Sequence, residues 1–335
     1  MYGFLFTELL PTCYHRAAMR ILQLLLPALA GASANAAYPD RPIRLIAPFA
    51  PGGNIDITAR TVAPGLTEHL GQQVIVENRG GAGGRIGTEL VAKAPADGYT
   101  MLLASSGMLT INAAFSTKPA YDPLRDFAGV STVALAPIVL TVHPSLPAKT
   151  LTEFLALARA RPGAILMASA GTGSNTHLTG ELFQAITGVK LTHVPYKGTS
   201  PALIDLVGGQ TQCIFDQVST SSPMVASGKL RAIALAAAKR SAVLPNVPTM
   251  AEAGVKEFEA ATYTGVFLPA ATPRDVQNRV YAALTRTLDM SATRDAFARV
   301  GAEVAKSTPE ELSKRLVNDL ARWKKVQQMT GLKLD

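Results

Sequence analysis

Residues 43–56 read IRLIAPFAPGGNID, an apolar run that ends in a Pro-Gly-Gly turn. Strand-forming residues followed by glycine and by a helix-start pattern predict a strand, a tight turn and a helix in succession. The start of a helix leaves its first backbone N–H groups without partners and carries a partial positive charge, and glycine lets a bound group approach the backbone closely. The stretch therefore predicts a turn that holds an anion.

A second segment, residues 165–177, repeats this design much later in the chain and reads ILMASAGTGSNTH. Thr172, Ser174 and Thr176 place hydroxyl groups around its two glycines. Because both segments are suited to the same kind of group, we expect one negatively charged ligand to be held from two sides.

The chain from Arg41 onward alternates short β-branched runs with helical segments, which is typical of an α/β fold with mostly parallel sheets. The extended run Phe127–His143 is long enough to leave one sheet and enter another, and the run Leu230–Ala237 could bring the chain back. The sequence therefore predicts two lobes joined by crossing strands near 130–142 and 230–238. Ligand clefts commonly form between such lobes.

The expected lobe boundaries follow from these crossings. Residues 37–137 and 239–335 are assigned to the first lobe, and residues 138–238 to the second. The C-terminal helices are expected to pack on the first lobe. The last of them begins at a Thr-Pro-Glu-Glu capping pattern, residues 308–311, and carries an apolar stripe that indicates core packing.

The first residues have the features of a secretory signal. Met19 and Arg20 precede the apolar stretch Ile21–Ala32, and small residues follow it. This order predicts a signal peptide over residues 1–36, cleaved after Ala36, with Met19 as an alternative start. The mature protein is then expected to be free in an extracytoplasmic compartment; an anchor formed by the leader itself is the competing interpretation.

Composition excludes several other classes of protein. The formal net charge of +8 indicates solubility or attraction of anions, since a secreted protein seldom meets nucleic acid. Cys13 lies in the leader, so Cys213 is left without an internal partner and is expected to be a small buried hydrophobic residue. The histidines show no paired metal-ligand spacing, and no metal or other cofactor is predicted.

Two enzyme hypotheses remain open at this point. Ser174 precedes His177 by three residues, which would suit a hydrolase, but the order lacks the G-x-S-x-G spacing and an orienting acid is not evident. The glycine-rich run Gly80–Gly87 could suggest a dinucleotide site, but Ile86 occupies the third glycine position of that fingerprint. A tight turn with close helix packing is the preferred interpretation of that run.

Several short motifs follow one another along the chain. They are Pro51-Gly52-Gly53-x-x-Asp56, Gly81-Ala-Gly-Gly84, Asp97-Gly-Tyr-Thr100, Val194-Pro-Tyr-Lys-Gly198, Phe215-Asp216, Leu244-Pro-Asn-Val-Pro-Thr249 and Glu252-Ala-Gly254. These motifs span essentially the whole mature chain, and they are weak singly but specific together. In this order they resemble the Bug family, the substrate-binding proteins of tripartite tricarboxylate transporters.

The resemblance implies a type II-like periplasmic binding protein whose two lobes close on a small carboxylate, such as an amino acid, a di- or tricarboxylate or an aromatic acid. It also implies delivery to a membrane permease; a sensor kinase is the alternative partner, and a monomer is expected. Asp56 is expected mainly to cap or brace its turn. The candidate ligand-binding residues are Phe49, Gly52, Gly53, Asn54, Asp56, Ser105, Thr172, Gly173, Ser174, Asn175, His177, Tyr196 and Asp216.

The sequence departs from the family pattern at a few of these places. Asn54-Ile55 replaces small or hydroxyl residues, and Ile55 is expected to narrow the pocket. Arg85 stands where Asn is frequent, and Gln217 where Asn often follows the Phe-Asp pair. Arg85 would pair with a second carboxylate if it faced the cleft; the preferred interpretation places it on a helix surface.

Overall fold

The structure, a computed structural model, describes residues 38–256 and 258–330; the expected signal peptide lies outside them. The strands are β1 Ile43–Ala47, β2 Val74–Asn78, β3 Thr100–Ser105, β4 Phe127–Val142, β5 Leu166–Ser169, β6 Thr192–Pro195, β7 Cys213–Gln217, β8 Arg231–Ala236, β9 Ala261–Pro269 and β10 Glu303–Val304. The α-helices are α1 Asn54–Leu70, α2 Arg85–Ala92, α3 Ser106–Phe115, α4 Leu151–Ala160, α5 Asn175–Thr187, α6 Thr199–Val207, α7 Val218–Ala226, α8 Arg274–Asp289, α9 Ser291–Arg299 and α10 Pro309–Thr330.

Strand β4 connects two sheets. Its first part, from Phe127 to Pro137, pairs with β9, and its last part, from Ile138 to Val142, pairs with β7 and β8. The first sheet has the order β2-β1-β3-β9-β4 with β10 beside β4, and the second continues as β4-β7-β5-β6 with β8 beside β4. The predicted crossing near 130–142 is therefore confirmed, and we call the elements on the two sheets the first and second lobes.

The sheets are mixed, which corrects the prediction that they are mostly parallel. The outer strands are parallel, β1 to β2 and β3 in the first lobe and β5 to β6 and β7 in the second. Strands β9, β7 and β8 run antiparallel to β4. Strand β4 runs from the first lobe to the second, and β7, β8 and β9 run beside it in the opposite direction.

The chain returns to the first lobe later than predicted. Strand β8 pairs with β4 only at Ile138–Val142, so it stays in the second sheet rather than crossing. Met250, Val255 and Phe258 then pack in the core of the second lobe, where the ring of Phe258 lies 5.7 Å from that of Phe183. Apolar burial therefore keeps the segment after residue 238 on the second lobe until β9 begins.

The C-terminal helices pack on the first lobe. Helix α8 lies against α1, and α10 lies against α3 and β4. Thr308 caps α10 by accepting from the N–H of Glu311, whose carboxylate accepts from the N–H of Thr308. Trp323 of α10 packs against a small cluster that contains Phe115 of the first lobe and Leu178 of the second, so this cluster joins the lobes.

In the ranges that the structure describes, we find no helix whose length and apolar character would suit a membrane span. Cys213 is fully buried in β7, and burial raises the pKa of its thiol, so it behaves as the small hydrophobic residue that the sequence predicts.

Candidate functional site

A small cavity of about 30 Å³ lies between the two lobes. Both glycine-rich turns identified in the sequence contribute to its wall. The wall has neither a basic nor an acidic side chain. The residues that line it are Phe49, Gly53, Asn54, Ile55, Ser105, Ala170, Ser174, Asn175, Thr176, Thr199, Gln217 and Thr262.

Five helices present their N-terminal ends to this cavity. The N-cap residues of α1, α3, α5 and α7 are Gly53, Ser105, Ser174 and Gln217, and α6 begins at Thr199. Only α5 of these five has a side-chain cap in the structure. Since each helix start carries a partial positive charge and unpaired N–H groups, the cavity favours an anion without any cationic side chain.

Several contacts join the two lobes. The Ser219 hydroxyl donates to Oδ1 of Asn54 over 2.7 Å, and the Ala50 N–H donates to the Lys197 carbonyl over 3.3 Å. Gly83 lies so close to the Thr172 carbonyl of the other lobe that an added Cβ would collide with it. The structure therefore shows the lobes closed on each other.

The turn after β1 is held by Asp56, which does not line the cavity. Its carboxylate accepts from the N–H of Gly52 over 2.9 Å and from the side chains of Arg60 and Asn78. Burial raises the pKa of Asp56, but these hydrogen bonds and the Arg60 charge outweigh it and hold the pKa below the usual range. Asp56 is thus a charged brace, as the sequence favours, and Gly52 supports the turn beside it.

The turn after β5 is organised by hydroxyl groups. Ser174 Oγ accepts from the N–H of His177 and caps α5, and Thr176 Oγ1 accepts from the N–H of Ala170 over 2.8 Å. The N–H of Gly173 donates to Nδ1 of His177 over 3.2 Å. The His177 ring is therefore occupied by the backbone of the turn, and the Ser174 hydroxyl bonds to Thr176 and the backbone instead. This geometry gives no support to a Ser-His nucleophile.

His177 supports the site from behind. Its ring stacks on His193 with centroids 3.9 Å apart, and Ser169 bonds to Nε2 of His193 over 2.6 Å. Burial, together with the neighbouring His193, lowers the pKa of His177 to about 3. Burial lowers the pKa of His193 to about 4. Both rings are therefore neutral at physiological pH, which keeps Nδ1 of His177 available as an acceptor.

Asn175, Gln217 and Thr262 form a polar group that comes from three distant parts of the chain. The amide nitrogens of Asn175 and Gln217 both donate to the Thr262 hydroxyl oxygen, the latter over 3.1 Å. The sequence predicts Asn175 as a site residue but not Thr262 or Thr199, because nothing in a single βα unit signals a residue that the fold brings in from another strand or helix. Gln217 stands out in the sequence only as a departure from the family pattern.

Three further candidates, Asp216, Tyr196 and Thr172, do not line the cavity. Asp216 is fully buried behind it and accepts hydrogen bonds from Thr220 and Ser221 at the start of α7. Burial raises the pKa of Asp216, and hydrogen bonds to its carboxylate lower it. Burial has the larger effect, so the pKa is raised to about 6. Tyr196 donates its hydroxyl to Asp205 over 2.7 Å and, with Thr172, lines a more open groove at the cleft entrance.

Ile55 and Arg85, which depart from the family pattern, take different positions relative to the cavity. Ile55 lines the cavity, where it was expected to narrow the pocket. Arg85 is exposed on α2 and is absent from the cavity wall. The Gly80–Gly84 turn makes the interlobe contact with Thr172 in addition to packing against α2, a role that the sequence did not indicate.

Within 38–256 and 258–330, no three His, Cys, Asp or Glu side chains come together as a metal site would require.

Two α/β lobes linked by a long strand, with helix ends directed at a cavity between them, define the class of two-lobe solute-binding proteins. Residues 58–332 match the family described as "Tripartite tricarboxylate transporter family receptor". The chain belongs to this family, and the Bug resemblance is confirmed. It is 40% identical over 298 residues to protein BugT of Bordetella pertussis, covering 89% of this chain and 91% of that protein.

Solved structures give the same result for the fold. The structure of periplasmic binding protein BugD is 34% identical with a TM-score of 0.86, covering 88% of this chain and 99% of that one. Rpa4515 of R. palustris, solved with adipate, is 35% identical with a TM-score of 0.85 and covers 88% and 99%. MatC of Rhodopseudomonas palustris, solved with bound malate, is 34% identical with a TM-score of 0.83 and covers 86% and 99%.

Proposed function

We propose that this protein captures a small carboxylate in the periplasm by closure of its two lobes and delivers it to a permease of the tripartite tricarboxylate type. The observation that carries the proposal is the convergence of five helix N-termini on a cavity with no charged side chain. Carboxylate-bound structures of two relatives support the same ligand class.

The energetics are adequate for such a ligand. A hydrogen bond to a charged group contributes about 1.5–3 kcal/mol net, and a helix terminus adds about 0.3–1 kcal/mol. Several donors from both lobes together could provide the roughly 8 kcal/mol of micromolar binding after the costs of closure. Donors from a single lobe would fall short, so the ligand favours the closed state that the permease would recognise.

The same proposal includes export by the N-terminal signal peptide and action as a monomer. The site residues proposed to contact ligand are Phe49, Gly53, Asn54, Ser105, Ser174 and Asn175 of the original candidates, joined by Thr199, Gln217 and Thr262.

The direct test is the identity of the ligand. Native mass spectrometry of the protein purified from periplasm should reveal a bound small acid, and thermal-shift and calorimetric titrations with a carboxylate panel should rank the candidates. Neutral amides of the same acids serve as controls. Equal affinity for acids and amides would contradict the proposal, as would a bound sugar or cation.

A further inference from the structure

A carboxyl group is buried directly behind the cavity without a cationic partner. Asp216 is 0% exposed, and its Oδ1 has no hydrogen-bond partner in the structure. Its Oδ2 accepts from the hydroxyls of Thr220 and Ser221, the latter over 2.9 Å. No basic side chain stands among these partners. A buried charge normally needs a partner of opposite charge, so this carboxyl group is poorly suited to remain ionised.

The elements that pack against β7 supply no cation to this carboxyl group in the part of the chain that the structure describes. Strands β4 and β5 and helix α7 contain no ionisable side chain. Helix α5 carries His177, which is neutral at pH 7, and Glu181; α6 carries Asp205, and β7 itself adds the buried thiol of Cys213. Besides burial, the largest influences on the pKa of Asp216 come from uncharged groups, the hydroxyls of Thr199, Thr220 and Ser221 and the backbone of Gln217.

The Asp216 carboxyl group is next to the cavity wall on two sides. Gln217, its neighbour on β7, lines the cavity, and so does Thr199, whose side chain lies close enough to lower the pKa of Asp216. A carboxylate held in the cavity and an ionised Asp216 would therefore repel each other through a buried region, where charges interact more strongly than in water. Protonation of Asp216 removes this repulsion.

We infer that Asp216 takes up a proton when a carboxylate enters the cavity. The proton comes from solution and binds to Oδ1, because two hydroxyl donors already occupy Oδ2. The inference rests on the proposed function and adds a proton to its binding reaction, so that at neutral pH the protein takes up an anion and up to one proton together.

The pKa of Asp216 sets the pH range of this effect. Burial raises the pKa to about 6, and a bound anion raises it further because like charges disfavour the ionised form. Between these two pKa values the ligand-bound protein holds more protons than the free protein, so the affinity should increase as the pH falls from 8 to 6. His177 and His193, with pKa values of about 3 and 4, titrate below this range.

Calorimetry measures the proton uptake directly. The probe is the tightest binder among lactate, malate, succinate, glutamate and benzoate, titrated at pH 7 in two buffers of different ionisation enthalpy and then at pH 6 and pH 8. Binding should take up protons, and the affinity at pH 6 should be at least fivefold that at pH 8. An absence of proton uptake overturns the inference and leaves the proposed function standing; no binding by any of these acids overturns both.

Asp216→Asn removes the titrating group while nearly keeping its shape. The variant should take up only the protons that the ligand itself binds, and its affinity at pH 8 should exceed that of the wild type at least fivefold because the repulsion is gone. A purely structural role would instead lower the affinity at every pH and keep the wild-type proton uptake. Asp319→Asn is the matched control, because burial also raises the pKa of Asp319 but this residue lies outside the cavity wall, and it should keep the wild-type uptake.

Two measurements need no substitution at Asp216. In infrared difference spectra of the wild-type protein, ligand binding should produce the C=O stretching band of a protonated carboxyl group at the expense of a carboxylate band. Thr220→Val removes a donor to the ionised form, so it should raise the pKa of Asp216 and move the midpoint of the pH dependence of binding upward. A spectrum without the new band, or an unchanged midpoint in Thr220→Val, would contradict the inference.

Discussion

Gly53 is the residue at which the charge and the shape of the cavity can be altered separately. Its backbone has φ −82°, which any residue can adopt, and an added Cβ would meet its nearest neighbours at 3.7 Å. It stands at the N-cap of α1, where a carboxylate side chain would occupy the helix N–H groups that we assign to the ligand.

Gly53→Asp should therefore lower carboxylate affinity at least a hundredfold while leaving the melting temperature unchanged or slightly higher. The loss arises because the new carboxylate repels the ligand and takes its donors. Gly53→Ala, which adds the Cβ without the charge, is the control and should lose less than tenfold. Calorimetry and thermal unfolding measure both quantities; retained affinity in Gly53→Asp would remove α1 from the site.

The stacked histidines make stability depend on pH. In the folded protein His177 and His193 stay neutral down to about pH 3 and pH 4, whereas each would bind a proton near pH 6.5 once unfolded. The unfolded state thus binds more protons below pH 6.5, so the stabilisation is complete above that pH and is lost as the pH falls.

We expect the histidine contribution to the free energy of unfolding to decline between pH 6.5 and 4, by at most about 1.4 kcal/mol per pH unit for each histidine. Asp216, whose pKa burial raises to about 6, offsets part of this decline below pH 6. His193→Gln removes one of these titrations and should flatten the decline. Urea unfolding at several pH values measures the slope. A variant slope as steep as that of the wild type would show that other groups control it.

At the level of the element, α5 shows how one cap serves two purposes. Ser174 accepts from the N–H of His177, and it also lines the cavity. Thr150 caps α4 in the same way, through the N–H of Glu153, but lies outside the cavity wall. The two caps therefore form a matched pair for mutagenesis.

Ser174→Ala and Thr150→Ala should each cost about 1 kcal/mol of stability, because each leaves a helix N–H group without its cap. Only Ser174→Ala should also weaken carboxylate binding, by about three- to tenfold. Equal binding by the two variants would contradict a ligand contact at Ser174. Ester hydrolysis that Ser174→Ala abolished would instead favour the hydrolase hypothesis.

The elements also show which parts of the site can be predicted from sequence. Both glycine turns are visible because strand, glycine and helix start follow one another locally. The sequence predicts Asp216 as a ligand contact, but its neighbour on β7, Gln217, lines the cavity instead. The two differ because adjacent strand residues point to opposite faces of a sheet. Since every residue of β7 is buried, no polar alternation indicates which face meets the ligand.

The sequence also does not reveal whether neighbouring strands pair in parallel or antiparallel. A β-branched run reads the same whether its neighbour is parallel or antiparallel, and only the position of β4 between the lobes determines it. Thr262 likewise reaches the cavity because β9 pairs with β4, a contact between residues more than a hundred positions apart in the chain.

At the scale of the whole molecule, exchange of ligand should require separation of the lobes. A Cβ added at Gly52 would lie 3.8 Å from Cβ of Ser200 on the other lobe, within the range of a disulfide. Gly52 has φ +81°, so a cysteine there costs about 1–2 kcal/mol in stability.

Gly52→Cys combined with Ser200→Cys should trap bound ligand after oxidation, slowing its release at least a hundredfold, and reductant should restore exchange. The single Gly52→Cys variant controls for backbone strain. Release measured by dilution of labelled ligand distinguishes the outcomes; unchanged release from the oxidised protein would mean that the lobes need not part.

The single tryptophan of the chain is Trp323, whose ring stands edge-on to Phe115 at 6.2 Å and packs against the cluster that also contains Leu178 of the other lobe. A hinge movement that separates Leu178 from this cluster should change the surroundings of the indole and alter its emission. The protein thus contains an intrinsic optical reporter of its own opening, and stopped-flow fluorescence could follow that movement in unlabelled material.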